Sequence, residues 1–253
     1  MKRALTIALV LVVAGGFAFA GGGQEEGERP EQITFAMDAT WPPMEFVDPD
    51  TGELVGFDVD LARYIGEVTG VEVEMQNTAW EGIFAGLATG EYDAVISSVT
   101  ITEERDQTMD FSEPYINAGQ VLIVRAEQEG VTTLDDAEGE PIGAQLGTTG
   151  AIAVQDHGGA DLRTYDEIGL AVEDLANGRL LGVVADTTIA ANYALQNEEY
   201  ADSLKIVGEP FTDELYGIAV PEGNAQILAV VNEGLAQARE SGYLEELKTK
   251  WLR

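Results

Sequence analysis

The 253-residue sequence predicts an α/β fold in which mainly parallel sheets are flanked by helices. Segments with strand-like and helix-like hydrophobic patterns alternate along most of the chain, which is the order that parallel sheets with crossover helices require. Apolar residues make up 45% of the sequence, which is enough for ordinary packed cores. Because the chain contains no cysteine, those cores must supply the stability without disulfide bonds.

The N-terminus has the pattern of a secretory signal peptide. Lys2 and Arg3 precede a short apolar stretch, and small residues then follow as far as Ala20. A basic segment, an apolar segment and an A-x-A site together are typical of a cleaved export signal, here residues 1–20. The apolar run is shorter than the roughly 20 residues that a membrane span needs. We therefore expect a periplasmic protein in which residues 21–30, rich in Gly and Glu, form a flexible tether.

The first part of the predicted folded region alternates strand and helix. Strands are predicted at residues 33–37, 71–75 and 94–96, and helices at residues 58–68 and 80–89. The first helix places Leu61, Ile65 and Val68 on one face, which is the spacing of an amphipathic helix. Gly90 follows the second helix, where glycine readily takes the left-handed conformation of a helix end.

The second part repeats this alternation and ends in two helices. The predicted strands are 121–124, 142–144, 183–184, 206–207 and 217–220, and a helix start is predicted at 132–136. A C-terminal helix is predicted from Asn224, with Ile227 and Leu235 on its inward face, and a last short helix from Ser241. The length of this region fits one large domain or two smaller ones.

The charge balance excludes several classes of partner. Thirteen Lys and Arg residues face 46 Asp and Glu residues, which gives a formal net charge of −33. Such a surface repels nucleic acid and anionic lipid. The single histidine, His157, excludes a multi-histidine metal site, and its polar neighbours predict an exposed turn. We expect neither a metal nor a cofactor.

Four groups of residues, all in polar loops or at element ends, stand out from the alternating pattern. They are G-F-D-V-D-L at 56–61, T-I-T-E-E-R at 100–105 followed by D-F-S-E-P-Y at 110–115, G-T-T-G at 147–150, and A-D-T at 185–187. Their order and spacing resemble the family 3 solute-binding proteins, the receptors of polar amino-acid ABC importers. The resemblance covers the chain from about residue 33 to residue 253, and the second group is its most specific part.

The resemblance implies a two-lobed periplasmic-binding-protein fold of type II, in which two α/β lobes are joined by a two-strand hinge. Lobe 1 would comprise residues 31–116 and 217–253, and lobe 2 residues 117–216, with crossovers near 115–119 and 212–216. Such a protein closes around a free amino acid as a monomer and delivers it to an ABC permease of the inner membrane.

A zwitterion needs partners for both of its charges, and the sequence offers them. Arg105 carries a planar fork that can meet a carboxylate with two hydrogen bonds, and Thr100 adds a hydroxyl and a backbone N–H. The glycine-rich turn at Thr149 can direct backbone N–H groups at the same anion. By resemblance, Arg105, Thr100 and Thr149 hold the carboxylate. Asp186 and Ser98 would hold the amine, although an arginine in so acidic a chain could also serve a surface ion pair.

Ligand preference is expected to lie with residues that face the ligand side chain. By resemblance these are Trp41 and Trp80, which would stack on it, and Asp38 and Gln145, which would hydrogen-bond it. Ordinary core packing is the alternative for both tryptophans. Because aromatic faces and a carboxylate attract cations, we expect arginine, lysine, ornithine or histidine rather than glutamine. Glutamine stays open, since Asp38 can also accept a hydrogen bond from an amide.

Two other functional classes share this fold. Periplasmic dehydratases that act on prephenate-like acids need a general acid and several cations, whereas the predicted site offers only Arg105. The ligand module of a sensory system is the second, and the lack of a membrane-spanning segment after Arg253 disfavours it. The sequence therefore predicts a binding protein rather than an enzyme.

Overall fold

The computed structural model of the protein describes residues 29–252. The predicted signal peptide at residues 1–20 and most of the predicted tether lie outside the described residues. Arg29, which belongs to that tether, is bound to the folded body. Its guanidinium donates a hydrogen bond to the carbonyl of Thr69 and forms an ion pair with Glu233.

The chain builds one sheet, crosses to a second, and returns to the first. The elements before the crossing are β1 (Gln32–Met37), β2 (Thr40–Trp41), β3 (Glu45–Val47), β4 (Leu54–Val55), α1 (Phe57–Thr69), β5 (Glu72–Asn77), α2 (Ile83–Thr89), β6 (Ala94–Val95) and β7 (Met109–Phe111). The crossing strand and the second sheet with its helices are β8 (Ile116–Ala118), β9 (Gln120–Arg125), β10 (Pro141–Gln145), α3 (Thr149–His157), β11 (Asp161–Tyr165), α4 (Ile168–Ala176), β12 (Gly182–Asp186), α5 (Thr187–Ala191) and β13 (Leu204–Val207). The returning strand and the C-terminal elements are β14 (Glu214–Tyr216), β15 (Ala219–Pro221), α6 (Ala225–Glu240) and α7 (Tyr243–Trp251).

Each lobe is organised around a five-stranded sheet. The first sheet has the order β5-β1-β6-β15-β7, with β1 parallel to both β5 and β6. The second has the order β11-β10-β12-β9-β13, with β10 parallel to both β11 and β12. β15 in the first sheet and β9 in the second sheet each run antiparallel to both neighbouring strands. The prediction of a two-lobed α/β fold is confirmed, but the sheets are mixed rather than mainly parallel, since two of the four strand pairings in each sheet are antiparallel.

Two antiparallel strands connect the lobes. β8 leads out of the first lobe and β14 leads back, and they pair with Ile116 opposite Tyr216. The predicted lobe limits, 31–116 with 217–253 and 117–216, would place the boundary within this ribbon, and they stay a proposal.

The C-terminal helix α6 begins where the sequence predicts. Asn224 accepts a hydrogen bond from the backbone N–H of Ile227 (3.1 Å), so it satisfies one of the free N–H groups at the helix start. The inward residues Ile227 and Leu235 are buried. Gly234 allows α6 to approach α1, since a Cβ there would lie 2.8 Å from the side chain of Ile65. α6 therefore packs against α1, and α1 packs against β5 of the first sheet.

Several predicted boundaries are wrong for identifiable reasons. The helix predicted from Trp80 begins at Ile83, because Gly82 has a φ of 93°, a conformation that a helix interior does not allow. Residues 40 and 41, where no strand is predicted, form β2, which pairs antiparallel with β3. The helix start predicted in the second lobe is only a 3₁₀ turn, Leu134–Ala137.

Two further corrections concern helix ends. The last helix begins at Tyr243 rather than Ser241, because Gly242 has a φ of 84°. His157, predicted in a turn, is the last residue of α3, and its imidazole lies 2.9 Å from the carboxylate of Asp135. Between residues 29 and 252, no helix has the length and apolar character needed to cross a bilayer.

Candidate functional site

The carboxyl ends of the parallel strands in both sheets meet at one cleft between the lobes. Asp38 follows β1 and Ser98 follows β6, whereas Gln145 ends β10 and Asp186 ends β12. Thr149 opens helix α3 directly after β10. Open α/β sheets place ligands outside the carboxyl ends of their strands, and two such edges here face each other.

All nine residues that the sequence predicts to contact a ligand line a single cavity between the lobes. They are Asp38, Trp41, Trp80, Ser98, Thr100, Arg105, Gln145, Thr149 and Asp186. Ser97 and Thr148, to which the sequence analysis assigns no ligand contact, complete the lining. The roles of the nine residues toward a ligand stay predictions.

Hydrogen bonds across the cleft hold the lobes together. Gln145 of the second lobe donates through Nε2 to Oδ2 of Asp38 (2.8 Å) and to the carbonyl of Asp166 (2.9 Å). Asp38 Oδ1 accepts a second hydrogen bond from the Thr40 hydroxyl (2.8 Å). Asp38 is buried, and its carboxylate is satisfied by these donors without a cation. The lobes are therefore closed on each other.

Arg105 also spans the cleft. Nη1 donates to the carbonyl of Thr100 in the first lobe (2.8 Å), and Nη2 to the carbonyl of Gly147 in the second (3.4 Å). The guanidinium carbon lies 5.5 Å from the ring centroid of Trp80 and 5.0 Å from that of Phe84, which are cation–π distances. Burial lowers the pKa of Arg105, and the charges of three nearby carboxylates, Asp186, Glu214 and Glu104, partly offset this. Trp80 therefore supports Arg105, a role that the sequence analysis does not foresee.

Glu214 is a site residue that the sequence analysis misses, because it appears there only as part of a hinge range. Its Oε2 accepts hydrogen bonds from the hydroxyls of Thr100 (2.8 Å) and Thr149 (2.7 Å), which come from opposite lobes. Gln120 and Thr212 donate to the same carboxylate. The only feature of the sequence that could indicate Glu214 is the two-residue periodicity of β14. This periodicity places Glu214 on the buried face of the strand and Leu215 on the exposed face.

The contacts of Glu214 change how the cleft can hold an anion. Because the hydroxyls of Thr100 and Thr149 donate to Glu214, their protons are not free for a ligand carboxylate. The backbone N–H groups of Thr149 and Gly150 lie in the first turn of α3, where no helical carbonyl can accept from them. Within the described part of the chain, the backbone N–H of Thr100 also has no recorded acceptor. An anion in the cleft would thus be held by backbone N–H groups and Arg105.

Asp186 is the counterpart for a cation. It is buried, and its Oδ1 has no hydrogen-bond partner among the described residues. Burial, and then the charge of Glu214, raise the pKa of Asp186 to about 6, while hydrogen bonds with Tyr216 and Gln120 act in the opposite direction. A buried carboxylate oxygen without a donor is costly, and an ammonium group would relieve that cost.

Other unpartnered polar atoms show the hydrogen-bonding character of the cavity. Ser98 Oγ and Gln145 Oε1 are buried and, among residues 29–252, have no hydrogen-bond partner. Ser98 has a φ of 50°, which is uncommon for a residue with a side chain. Its backbone N–H donates to Oδ2 of Asp58 (2.8 Å), which holds it in this conformation. Together with Asp186, the cavity presents acceptors that a ligand rich in N–H groups would satisfy.

Comparison with known proteins shows which family the sequence matches. The family described as bacterial extracellular solute-binding proteins, family 3, matches residues 33–253. The L-cystine-binding protein TcyJ of Escherichia coli (strain K12) is 35% identical over 221 residues, which cover 87% of this chain and 82% of the relative. Further relatives are named for binding arginine, histidine and glutamine.

Solved structures agree with the fold. An ancestral arginine-binding protein bound to arginine is 37% identical, with a TM-score of 0.83, and the match covers 89% of this chain and all of that one. An ancestral amino acid-binding protein, AncCDT-1, described as a precursor of cyclohexadienyl dehydratase, is 33% identical, with a TM-score of 0.81, and the match covers 88% and 96% of the two chains. The fold is the two-lobed type II fold of periplasmic amino-acid-binding proteins.

Proposed function

Since the chain belongs to the bacterial extracellular solute-binding proteins of family 3, we propose that it binds a free L-amino acid between its lobes for an ABC importer. One observation carries the proposal: a single cavity joins a guanidinium and free backbone N–H groups to a buried carboxylate oxygen without a donor. In this proposal Arg105, Thr100 and Thr149 bind the carboxylate, and Asp186 and Ser98 bind the ammonium. The ligand touches both lobes and so favours the closed form.

The net charge of the residues that line the cavity favours a basic amino acid as the ligand. Its ionisable lining residues are Asp38, Arg105 and Asp186, which carry a net charge of −1 when all are ionised. A zwitterion with a cationic side chain brings the sum to zero, whereas glutamine leaves it negative. Desolvated charges need compensation, so arginine, lysine, ornithine or histidine is the preferred ligand and glutamine the alternative. Asp38, beside Trp41 and Gln145, would meet the cationic group.

A thermal-shift screen tests the function. Purified protein is heated with each of the twenty amino acids, ornithine and citrulline, and a ligand raises the melting temperature because it binds only the folded state. We expect the largest shifts from basic amino acids. In Asp38→Asn the shift from arginine should shrink more than any shift from glutamine. A shift from glutamine with none from arginine would reverse the preference, and no shift from any amino acid would contradict the proposed function.

Asp186 makes the affinity depend on pH. Its carboxylate can pair with an ammonium only when ionised, and its pKa in the free protein is raised to about 6. We therefore expect the dissociation constant to increase as the pH falls below about 6, by up to about tenfold per pH unit. Calorimetric titration from about pH 8 to pH 5 measures this.

Asp186→Asn is the control for this dependence, since the amide has no charge to lose. It should bind weakly, and the part of the pH dependence centred near the Asp186 pKa should be absent from its profile. A wild-type affinity that is constant across the same range would show that Asp186 does not bind the ammonium.

The wider cellular role follows from the family and from the N-terminal pattern. We propose that residues 1–20 direct export, that the protein acts in the periplasm as a monomer, and that its partner is an inner-membrane permease of an ABC importer. A dehydratase activity is not proposed, although a solved relative is described as a dehydratase precursor. Arg105 is the one cationic residue that lines the described cavity, whereas a dicarboxylic substrate would need several.

A further inference from the structure

Two buried carboxyl groups lie directly behind the cavity wall. Glu45 in β3 and Asp58 in the first turn of α1 are both 0% exposed, and neither lines the cavity. The backbone N–H of Asp58 donates to the carbonyl of Met44, the residue before Glu45 (2.8 Å), and the two carboxyl groups accept from the consecutive residues Ser97 and Ser98. Two ionised carboxylates in contact within a dry core would repel each other strongly, so their protonation needs an explanation.

The hydrogen-bond partners of the four carboxyl oxygen atoms indicate where a proton would lie. Glu45 Oε1 accepts from the Ser97 hydroxyl (2.7 Å). Asp58 Oδ2 accepts from the backbone N–H of Ser98 (2.8 Å) and from the hydroxyl of Tyr115 (2.8 Å). The other oxygen of each group, Glu45 Oε2 and Asp58 Oδ1, has no partner among the described residues. One proton between the two carboxyl groups would satisfy both atoms.

The surroundings decide which group keeps the proton. Asp58 lies in the first turn of α1, where the helix dipole favours a negative charge, and it has two donors against one for Glu45. The further charge that acts on Glu45 is another acid, Asp38. Tyr115, which faces the pair from the segment before β8, is a neutral donor. Glu45 therefore carries the proton and Asp58 the charge.

Burial acts in the same direction on both groups. It raises the pKa of Glu45 well above the ordinary value, with the charge of Asp58 adding to the effect. It also raises the pKa of Asp58 to about 6, although the hydrogen bond from Ser98 lowers it in part. No third metal-ligating side chain among residues 29–252 joins the pair in a geometry that could hold a metal ion, so a proton is the group that fits.

The pair connects to the cavity through two serines. The Ser97 hydroxyl that donates to Glu45 also accepts from the backbone N–H of Asp38 (3.0 Å), at the end of β1. The carboxylate of Asp58 holds the backbone of Ser98 in its left-handed conformation. Ser97, Ser98 and Asp38 all line the cavity. The orientation of three lining residues thus depends on the carboxyl pair.

We propose that Glu45 and Asp58 share one proton, and that the pair in this form positions Ser97, Ser98 and Asp38 for ligand binding. Its effect on the ligand rests on the proposed function, whereas the shared proton is a property of the free protein. Losing the proton would place two charges against each other. The segments that carry them cannot easily separate, because Gly56 lies against the backbone of Met44.

The free protein tests the shared proton through the variant Glu45→Gln. Glutamine can accept from Ser97 and donate its amide N–H to Asp58, but it cannot ionise. Because the folded-state pKa of Glu45 is raised, its stabilisation is complete at low pH and is lost as the pH rises through that pKa. We expect the melting temperature of the wild type to fall relative to Glu45→Gln between about pH 5 and pH 9.

A direct observation accompanies the melting curves. In a carboxyl ¹³C NMR titration, one glutamate signal should titrate well above the ordinary range and be absent from Glu45→Gln. Glu53→Gln, which changes an exposed glutamate of the same lobe, should leave that signal and the pH dependence of melting as in the wild type. Parallel melting curves for wild type and Glu45→Gln, or no such signal, would overturn the proposal.

The positioning role is tested by binding of L-arginine and of any amino acid that the thermal screen selects. Glu45→Ala should weaken binding by about tenfold or more, and Glu45→Gln should restore most of the loss. The ratio of wild-type to Glu45→Gln dissociation constants should rise with pH. Equal pH profiles would reject positioning by the proton. If no amino acid binds while the glutamate titrates as expected, the proposed function fails and the shared proton stands.

Discussion

Arg105→Ala is expected to weaken amino-acid binding by about 3–5 kcal/mol, a loss of roughly two to nearly four orders of magnitude in affinity. The alanine removes the guanidinium that lines the cavity and bonds to the carbonyls of Thr100 and Gly147. The ligand carboxylate would then be buried without its cationic partner, and that unpaired charge accounts for most of the loss. Isothermal titration calorimetry with the ligand selected by the thermal screen measures it.

Two variants separate this effect from a simple loss of charge. Arg105→Lys keeps the charge but not the planar fork, so we expect an affinity between those of the wild type and Arg105→Ala. Arg163→Ala removes an exposed arginine whose partner is Asp161, and it should bind as the wild type does. Wild-type affinity in Arg105→Ala would show that the carboxylate is bound elsewhere and would remove Arg105 from the site.

Gly56→Ala is expected to lower the free energy of unfolding by about 3–5 kcal/mol, and with it the melting temperature by roughly 10 °C. Gly56 precedes α1 with φ 135° and ψ 177°, a region that is essentially open to glycine alone. A Cβ at this position would overlap the backbone carbonyl of Met44, whose oxygen would lie 2.2 Å away. Because a backbone atom cannot move aside as a flexible side chain can, the start of α1 or β3 must shift.

Gly52→Ala is the matched control, measured by the same thermal denaturation. Gly52 also has a positive φ, of 73°, but a Cβ there would meet nothing within 4 Å. Its cost should be limited to the backbone conformation, about 1 kcal/mol. Equal destabilisation by the two variants would show that the contact with Met44 contributes nothing. Because Glu45 follows Met44, Gly56→Ala should also disturb the carboxyl pair.

The pattern of the chain was sufficient to predict the fold class, and its family resemblance to predict the nine residues of the cavity lining. Predicted strands end at residue 37, directly before Asp38, and at residue 184, two positions before Asp186, and strands of a parallel sheet bring their carboxyl ends to one edge. The motif blocks placed Arg105 and Thr100 in the same cleft. The ends of helices and strands were predicted less accurately. The start of α2, for example, depends on the left-handed conformation of Gly82 rather than on hydrophobic spacing.

Contacts between distant segments could not be predicted in this way. Glu214 accepts hydrogen bonds from residues 114 and 65 positions away, and only the two-residue periodicity of its short strand marks it among 46 acidic residues. Glu45 bonds to a serine 52 positions away. The cation–π contact of Trp80 likewise depends on where Arg105 lies after folding.

The hydrophobic periodicity of the sequence determined the α/β class, and the family resemblance carried by its short motifs implied two lobes and the residues that surround the cleft, because periodicity and motifs are local properties. Only the tertiary structure decided which acids are buried, which of their oxygen atoms lack a donor, and that Arg105 bridges the lobes. A carboxylate changes its pKa and its partners only when folding removes water and brings distant donors to it. That is why Glu214 and the Glu45–Asp58 pair emerged from the fold and not from the pattern.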